Sequence, residues 1–453
     1  MEHGSYVREI RLRVLKLAWP AMLEMSLHMA LSAVDTAMVA RLGAGPLAAT
    51  ALAAQVYWTI AMLAGALNAG TTALVSAAFG AKDWPRVYML CAEALLAAIF
   101  AGAACWMAVL AAHGFLPLVL AIEADVLALW SQYLTTLAWG SIPFLLWIVG
   151  NAALRSTGDT MSPLAVAGIS NAFNAVADWC LIFGNMGLPM LGVRGAALAS
   201  VLSMCLGGTL TLVNLLRRGI LPWPGEQEKL TISRNEMLKL VSLSLPASLE
   251  TLLLDGARSV QLIIMSSLPK VEFAAHQIAA TCESVSYMPG YGLTIAGAVL
   301  VGQSLGAGEW KKARDSGLQA LLIAAATMGG IGLAFVLFPG ALVSFFAAEP
   351  EVLSGAARVL RIAGLFQPFV AATDTLGGAL RGAGNTKSPL KVTAVAAWAF
   401  RVPLTFLAVR VAGLSLAAIW WINCLDWVLR AGFMWRLFQS EVWSDCARTL
   451  DGR

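Results

Sequence analysis

The feature that most constrains this chain is a series of long apolar stretches, each near the length that a helix needs to cross a bilayer. About 20 predominantly apolar residues span the hydrocarbon core as an α-helix. Apolar residues make up 59% of the sequence and charged residues 12%, whereas a typical soluble domain has about 25% charged residues. The sequence therefore predicts an all-α polytopic membrane protein with twelve transmembrane helices. These lie near residues 14–40, 46–78, 88–112, 127–153, 163–184, 195–216, 237–268, 273–304, 317–346, 355–380, 389–409 and 413–438.

The basic residues between these stretches predict the orientation of the chain. Lys and Arg are enriched in the cytoplasmic loops of membrane proteins, and acidic residues such as Glu123 and Glu349 fall in the loops on the opposite side. Both termini are therefore predicted to be cytoplasmic, with the protein integral to the plasma (inner) membrane. The basic residues that share the side of the termini include Arg8, Arg11, Lys16, Lys82, Arg86, Arg155, Lys311, Lys312, Arg381 and Lys387.

Three blocks of sequence recur at a constant offset of 226 residues. Each repeat holds six predicted spans, and because six is an even number the second repeat enters the membrane from the same side as the first. Such repeats are related by a pseudo-twofold axis along the membrane normal. We predict an N-lobe at residues 1–218, a polar cytoplasmic linker at 219–236 and a C-lobe at 237–453. The blocks are LKLAWPAMLE (15–24) with SLSLPASLE (242–250), LVSAAFGAKDW (74–84) with LVGQSLGAGEW (300–310), and ALRSTGDTMSPL (153–164) with ALRGAGNTKSPL (379–390).

Three ionisable side chains interrupt the apolar helix that begins the first repeat. Glu24, His28 and Asp35 are four and seven residues apart, so they share one stripe of an α-helix. A carboxylate near the middle of a membrane helix costs about 2.5–3.5 kcal/mol on insertion scales, so Asp35 should face protein or water. Pro20 removes one hydrogen bond from the helix and allows it to bend. This helix is predicted to bend and to carry a titratable group.

The fifth span has a second polar face in the sequence SNAFNAVAD. Asn171, Asn174 and Asp178 are three and four residues apart and therefore lie on one side of a helix. A hard cation such as Na⁺ requires several oxygen ligands, and a proton requires a buried carboxyl group. We interpret this face as a site for such an ion, opposite Asp35. The alternative is a set of interhelical hydrogen bonds, which buried Asn often forms.

Five motifs follow one another along the chain. They are VDTAMVARLG after a proline in the first span, N-x-x-x-D in the fifth, AAHQIA and VGQSLGAGEW around the eighth, and ALRGAGNTKSP after the tenth. Their order, together with the repeat, resembles the multidrug and toxic compound extrusion (MATE) family. The resemblance implies an alternating-access transporter in which two six-helix lobes enclose a central cleft.

The same resemblance implies roles for particular residues. Asp35, Asn174 and Asp178 match the N-lobe positions at which the family couples transport to a cation, here H⁺ or Na⁺. They are the expected metal ligands if the ion is Na⁺. Pro20 matches the proline at which the first helix bends, and Ser200 is expected to add a hydroxyl oxygen.

Other polar residues are candidates for the wall of the cleft. His28 could relay protons or serve as a packing residue. Asn151 resembles a substrate-side Asn of the family, with an interhelical tie as the alternative. Glu250 matches an acid that meets cationic substrates or ions in the family, but an acid at the equivalent position of the first repeat favours a shared structural role equally well. The repeat position of Asp35 is Gln261, so the two lobes should differ chemically.

Enzyme functions lack the residues that they require. The segment GQSLG (302–306) matches G-x-S-x-G, but it ends a membrane helix without a preceding strand, and Ala78 stands at the repeat position of Ser304. The sequence has no P-loop, HExxH motif or clustered His and Cys ligands. Its basic residues form no stripe typical of nucleic-acid binding. We predict no enzyme activity, no nucleic-acid partner and no cofactor besides the coupling ion.

Three functions compete on the sequence. The first is antiport, in which small amphipathic organic cations are exported in exchange for H⁺ or Na⁺. The second is a flippase for lipid-linked precursors from the same superfamily, which should need a strongly cationic cavity and often two extra helices. The third is a channel, which should need a continuous polar pore, whereas the buried acids cluster in one lobe. We favour antiport by a monomer surrounded by membrane lipids.

Overall fold

The computed structural model describes residues 2–119, 123–222, 232–346 and 349–440, and these form helices joined by short turns. The first repeat folds into eight α-helices, with a short 3₁₀ turn at Asn185–Gly187. They are α1 (Glu2–Ala40), α2 (Ala44–Gly65), α3 (Leu67–Gly80), α4 (Trp84–Val119), α5 (Ala124–Ala138), α6 (Ser141–Ser156), α7 (Met161–Phe183) and α8 (Val193–Arg217).

The second repeat is built in the same way, except that its penultimate span contains two segments of π-helix, Val395–Arg401 and Leu407–Val411. Such wide turns occur frequently at functional sites. The α-helices of this repeat are α9 (Arg234–Met265), α10 (Lys270–Gly306), α11 (Trp310–Leu337), α12 (Pro339–Val343), α13 (Pro350–Gly382), α14 (Lys387–Ala394), α15 (Val402–Phe406) and α16 (Leu416–Gln439).

Each of the twelve predicted spans coincides with helix in the described parts of the chain. By length and composition, eight helical segments among those residues are apolar enough to cross a membrane, and the pair α5 and α6, bent by 50°, makes a ninth. The long helices α1, α13 and α16 are less apolar because ionisable residues such as Glu24, Asp374 and Asp426 interrupt them.

The chain forms two compact units by contact. The N-unit comprises Leu23–Ser248, and the C-unit comprises Met1–Met22 together with Leu249–Arg453. The lobe boundaries that the repeat predicts at 218 and 237 stay a prediction. Of the predicted linker, residues 223–231 lie outside the described residues, and α9 already begins at Arg234.

Two helices contribute to both units. The last residue of α1 in the C-unit is Met22, and the last residue of α9 in the N-unit is Ser248. Each of these residues follows an internal proline, Pro20 or Pro246, by two positions, and the two prolines are 226 residues apart. Both helices are continuous across their proline. The change of unit therefore occurs at equivalent points of the two repeats.

The core of the C-unit is made of small and branched apolar residues on its long helices. One cluster joins α10, α13 and α16 around Ala279, Leu360 and Ile419, all fully buried. A second holds the first part of α1 through Val14 and Ala18. In water, burying apolar side chains stabilises a fold by about 0.8 kcal/mol per CH₂ group. Within a bilayer, close packing of the helices contributes more of the stability.

The N-unit positions its polar residues through a close approach of α7 and α8. Gly195 on α8 lies against the backbone of Leu181 on α7, so that any side chain at this position would collide with that backbone. Small residues allow membrane helices to approach in this way. A cluster of Val39, Ile182 and Ala196 packs the end of α1 onto these two helices. The polar faces of α1, α7 and α8 are consequently held side by side.

Candidate functional site

The site predicted from the first and fifth spans assembles inside the N-unit. Asp178 and Asn174 on α7 are buried, with 1% and 2% of their surface exposed, and Asp35 on α1 is half-buried. The carboxyl groups of Asp35 and Asp178 are in hydrogen-bonding contact with each other. We call these two residues the acid pair. The opposing stripes of the two helices thus meet as the sequence predicts.

Asn174 connects the acid pair to α8. With its amide nitrogen towards α1, Nδ2 donates to Oδ1 of Asp35 at 3.2 Å, and Oδ1 of Asn174 accepts from the backbone N–H of Ser200 at 3.3 Å. A donor amide stabilises a carboxylate that carries negative charge. Asn174 therefore holds Asp35 in place, while Ser200 anchors the amide in this orientation.

Tyr133 on α5 is a member of the site that the sequence does not single out. It interacts with the side chain of Ser200 and lies close enough to feel the charges of both Asp35 and Asp178. Its ring packs on the cluster that joins α1, α7 and α8. A single Tyr in an apolar span gives no periodic signal, so only the fold shows that this hydroxyl faces the acids.

Several polar atoms of the site have no protein partner. Among the described residues, Oδ1 of Asp178 and both side-chain polar atoms of Asn171 make no hydrogen bond, although Asn171 is only 8% exposed. An unsatisfied buried polar group costs about 1–3 kcal/mol unless water or a ligand bonds it. Two carboxyl groups in contact also require a proton or a cation between them, because like charges at this separation cannot both be uncompensated. The arrangement can therefore take up and release one positive charge.

The position equivalent to Asp35 in the C-unit carries a neutral amide. Gln261 occupies the repeat position of Asp35, and its Nε2 donates to Thr405 Oγ1 at 3.2 Å and to Asn423 Oδ1 at 2.7 Å. These bonds connect α9 to α15 and α16 without any carboxyl group. The two repeats share a fold and differ in chemistry at this point.

Glu24 and Asn151 form a second polar layer of the N-unit. Arg155 Nη1 on α6 lies 3.1 Å from both carboxylate oxygens of Glu24, and Asn151 Nδ2 donates to Glu24 Oε1 at 3.4 Å. Asn151 Oδ1 in turn accepts from Thr211 Oγ1 on α8 at 3.1 Å. Asn151 thus ties α1, α6 and α8 together, and its substrate-side role stays a prediction beside this structural one.

The same ion pair recurs in the C-unit at the repeat offset. Arg381 Nη1 at the end of α13 lies 3.1 Å from Glu250 Oε2, and Thr393 Oγ1 on α14 donates to Glu250 Oε1 at 3.1 Å. The Glu250 carboxylate is therefore already bonded by two protein groups. Its substrate role stays a prediction beside this structural one.

His28 lies in the N-unit, and a group of three buried charges lies in the C-unit. The ring of His28 on α1 lies 5.7 Å from that of Trp147 on α6, centroid to centroid, and His28 is half-buried. In the C-unit, Asp426 on α16 is fully buried and lies 2.8 Å from Arg430 Nη2 and 3.6 Å from Arg401 Nη1. The Asp426–Arg430 pair stands one helical turn apart on α16 and stabilises its own helix face.

The fold and the site define a class: a helical membrane protein built from two sequence repeats, with two carboxyl groups in contact inside one unit. A sequence model of the MatE family matches residues 20–180 and 246–407, which is most of the chain, and the two segments begin at the repeat-equivalent prolines. The chain belongs to the multidrug and toxic compound extrusion (MATE) family, a family of membrane transporters.

Known proteins of this family match nearly the whole chain. The probable multidrug resistance protein NorM of Thermotoga maritima is 30% identical over 446 residues, covering 96% of this chain and 94% of its own length. The protein of the same name from Mesorhizobium japonicum is 30% identical over 442 residues, covering 91% and 90%. A structure of the Vibrio cholerae MATE transporter VcmN superposes with a TM-score of 0.89 at 19% identity, covering 97% and 100%. These likenesses confirm the predicted fold class of twelve transmembrane helices in two lobes.

Proposed function

We propose that this protein is a secondary active multidrug efflux antiporter, which exports small amphipathic organic cations in exchange for H⁺ or Na⁺ by alternating access. The observation that carries the proposal is the contact between Asp35 and Asp178 inside the membrane helices of the N-unit. A site that must hold one positive charge to be stable, and that has free oxygen atoms to receive it, is suited to an ion that enters and leaves once per cycle.

The oxygen atoms of the site are suited to binding either H⁺ or Na⁺. A proton needs only the two carboxyl groups. Na⁺ takes several oxygen ligands, as other hard cations do. The carboxylates of the acid pair could be joined by the hydroxyl of Ser200 on α8, and by Oδ1 of Asn174 once its amide turns over, since in the structure Nδ2 faces Asp35. Pro20 then lies on α1 fifteen residues before the ion site, where helix bending could link ion binding to the movement of α1.

The substrate class rests on the relatives and on the charge of the site. The relatives named above are described as probable multidrug resistance proteins, which supports drug export by this chain. An organic cation and the coupling ion carry charge of the same sign, so each lowers the affinity for the other when both lie near the acid pair. Such negative coupling is what exchange requires. We place the protein in the plasma (inner) membrane as a monomer, with both termini in the cytoplasm.

A gradient experiment with the purified full-length protein tests this proposal. Liposomes that contain the protein are loaded with ethidium, and either a pH gradient alone or a Na⁺ gradient alone is imposed. At least one gradient should drive ethidium uphill, and protein-free liposomes should show no such movement. Ethidium that only ever moves downhill would favour a channel. Movement of a fluorescent lipid-linked pyrophosphate without movement of ethidium would favour the flippase.

A further inference from the structure

Two polar layers of the N-unit lie at different depths along the same helices. The upper layer is the acid pair with Asn174 and Ser200, and the lower layer is the Glu24–Arg155 ion pair with Asn151 and Thr211. Along α1 the layers are eleven residues apart, and along α8 they are also eleven residues apart. At 1.5 Å per residue, both helices give a separation of about 16 Å. This is too far for a direct transfer of a proton.

His28 lies on α1 between the two layers. It follows Glu24 by four residues and precedes Asp35 by seven, so it stands about 6 Å above one layer and about 10 Å below the other. The charged groups that act on its ring are Glu24 on its own helix and Arg155 on α6, and Trp147 on α6 contacts the ring. Because Arg155 is bonded to Glu24, the ring of His28 lies beside an ion pair and not beside an isolated carboxylate.

Asn171 lies on α7 at the same depth as His28. It precedes Asp178 by seven residues, as His28 precedes Asp35. The two helices of the α7–α8 pair run antiparallel, since Ser203 Oγ donates to the carbonyl of Ser170 while the backbone of Ser200 meets Asn174. On α8, the direction from Ser200 to Ser203 is the direction of the lower layer. Asn171 therefore lies nearer to the lower layer than Asn174 does.

The side chain of Asn171 has hydrogen-bonding groups that the described residues leave unused. It is 8% exposed, and neither its amide oxygen nor its amide nitrogen has a hydrogen-bond partner among the described residues. An amide can accept one hydrogen bond and donate another at the same time, so it can hold a water molecule in a chain of hydrogen bonds. Trp147, which contacts His28, also packs on Ala167, one helical turn from Asn171.

We propose that His28 and Asn171 form a proton relay that joins the acid pair to the Glu24–Arg155 layer, and hence that the coupling ion is H⁺. The inference rests on the proposed function and specifies its ion. For each proton that passes along the relay, an O–H bond of the acid pair breaks, and the proton is transferred through a water molecule held by Asn171. An N–H bond then forms at one ring nitrogen of His28. The other ring nitrogen then gives its proton to water beside Glu24. The ring ends neutral, in its other tautomer, and one proton has moved towards the predicted cytoplasmic side.

The test measures proton movement and drug binding separately on the full-length protein. In liposomes with an internal pH dye, His28→Ala should slow ethidium-dependent proton flux and ethidium export at least tenfold. Its Kd for ethidium in detergent should stay within about twofold of that of the wild type. Added imidazole, a small mobile base, should restore part of the flux. His113→Ala is the matched control, because His113 is a histidine of the same unit that lies on α4 and bonds Ser131, and its flux should equal that of the wild type.

Asn171→Leu provides a second variant, since it keeps the volume of the side chain and removes its hydrogen bonds. It should slow flux to a similar extent, and imidazole should not rescue it. Wild-type flux in both variants, or transport driven by a Na⁺ gradient without dependence on pH, would overturn the relay. If His28→Ala fails to bind ethidium, the flux of Asn171→Leu decides the question. Loss of coupled export in Asp35→Asn alongside normal flux in the relay variants would leave the proposed function standing without the relay.

Discussion

Glu24 and Glu250 occupy equivalent positions in the two repeats, and each is bonded by the arginine of the repeat block that begins ALRSTG or ALRGAG. Arg155 lies 3.1 Å from Glu24 and Arg381 lies 3.1 Å from Glu250. Breaking a buried ion pair by removing one partner leaves an uncompensated charge, which costs more than removing both. These pairs fix the beginning of the second part of α1 and of α9, where each helix has just changed unit.

A double-mutant cycle should reveal this role. Glu24→Gln alone should lower the free energy of unfolding by about 3–5 kcal/mol, because Arg155 is then buried without its partner. The double variant Glu24→Gln with Arg155→Gln should lose less than either single variant. Thermal unfolding of the purified protein in detergent measures the difference.

The pair in the C-unit serves as the comparison for that cycle. The side chains of Arg381 and Glu250 are 25% and 15% exposed, against 9% and 3% for Arg155 and Glu24. Glu250→Gln should therefore cost less stability than Glu24→Gln. If Glu250→Gln lowers the free energy of unfolding as much as Glu24→Gln or more, burial does not determine how strongly these ion pairs stabilise the protein.

At the scale of elements, α1 and α9 are the two helices that pass from one unit to the other. In α1 the change follows Pro20, and in α9 it follows Pro246. A proline inside a helix removes one backbone hydrogen bond and lowers the resistance of that turn to bending. Any conformational change that separates the parts of either helix must be absorbed in this stretch.

Pro20→Ala should therefore slow transport without weakening the binding of substrate. Alanine restores the missing hydrogen bond and stiffens α1, so we expect the export rate to fall about tenfold or more while the Kd for ethidium stays unchanged. Pro163→Ala is a suitable control, because Pro163 lies in the first turn of α7, where its ring breaks no helical hydrogen bond. A Pro20→Ala protein that exports at the wild-type rate would show that α1 does not need to bend.

The elements were largely predictable from sequence, and the site was predictable in part. Hydropathy and the repeat give the twelve spans because each span must satisfy its own backbone in lipid. Asp35, Asn174 and Asp178 could be found because ionisable and amide groups are conspicuous in apolar helices. The basic pattern predicts that Arg155 lies in a cytoplasmic loop, whereas it lies in the last turn of α6 and is 8% exposed. Its ion-pair partner, Glu24, could not be found without knowing that α1 and α6 are neighbours.

Other elements carry no sequence signal of their own. The π-helical segments of the penultimate span depend on a hydrogen-bond pattern that no residue of Val395–Arg401 specifies alone. The contact of Tyr133 with the site depends on the packing of α5 against α8. In both cases the tertiary structure, and not local propensity, decides what a residue does.

At the scale of the whole molecule, the charge moved per cycle fixes which forces can drive export. If one proton enters for each monovalent cation exported, no net charge crosses the membrane, and one pH unit supplies about 1.4 kcal/mol, or about tenfold accumulation. For a neutral or zwitterionic substrate the membrane potential adds about 2.3 kcal/mol per 100 mV. Together the two forces then give about 3.7 kcal/mol, or about 500-fold accumulation.

Collapsing the membrane potential should separate these two cases. With valinomycin and equal K⁺ on both sides at a fixed pH gradient, export of a monovalent cation should be unchanged and export of a zwitterion should fall. The measurement is the steady-state accumulation ratio of each substrate in the same liposomes. A monovalent cation whose accumulation falls with the potential would show that more than one ion is coupled, and Asp35 and Asp178 would then have to act as two sites.

The central claim is that the acid pair exchanges the coupling ion for the substrate, and Asp35→Asn tests it most directly. The neutral isostere keeps the shape of the side chain and removes one of the two charges in contact. Ethidium export and ion entry are recorded together in liposomes that contain the wild type, Asp35→Asn, or the control Glu9→Gln, whose acid lies exposed on the same helix and is paired with Arg13. We predict coupled fluxes in the wild type and in Glu9→Gln, and loss of both fluxes in Asp35→Asn with folding intact. Coupled export by Asp35→Asn at the wild-type rate would contradict the account.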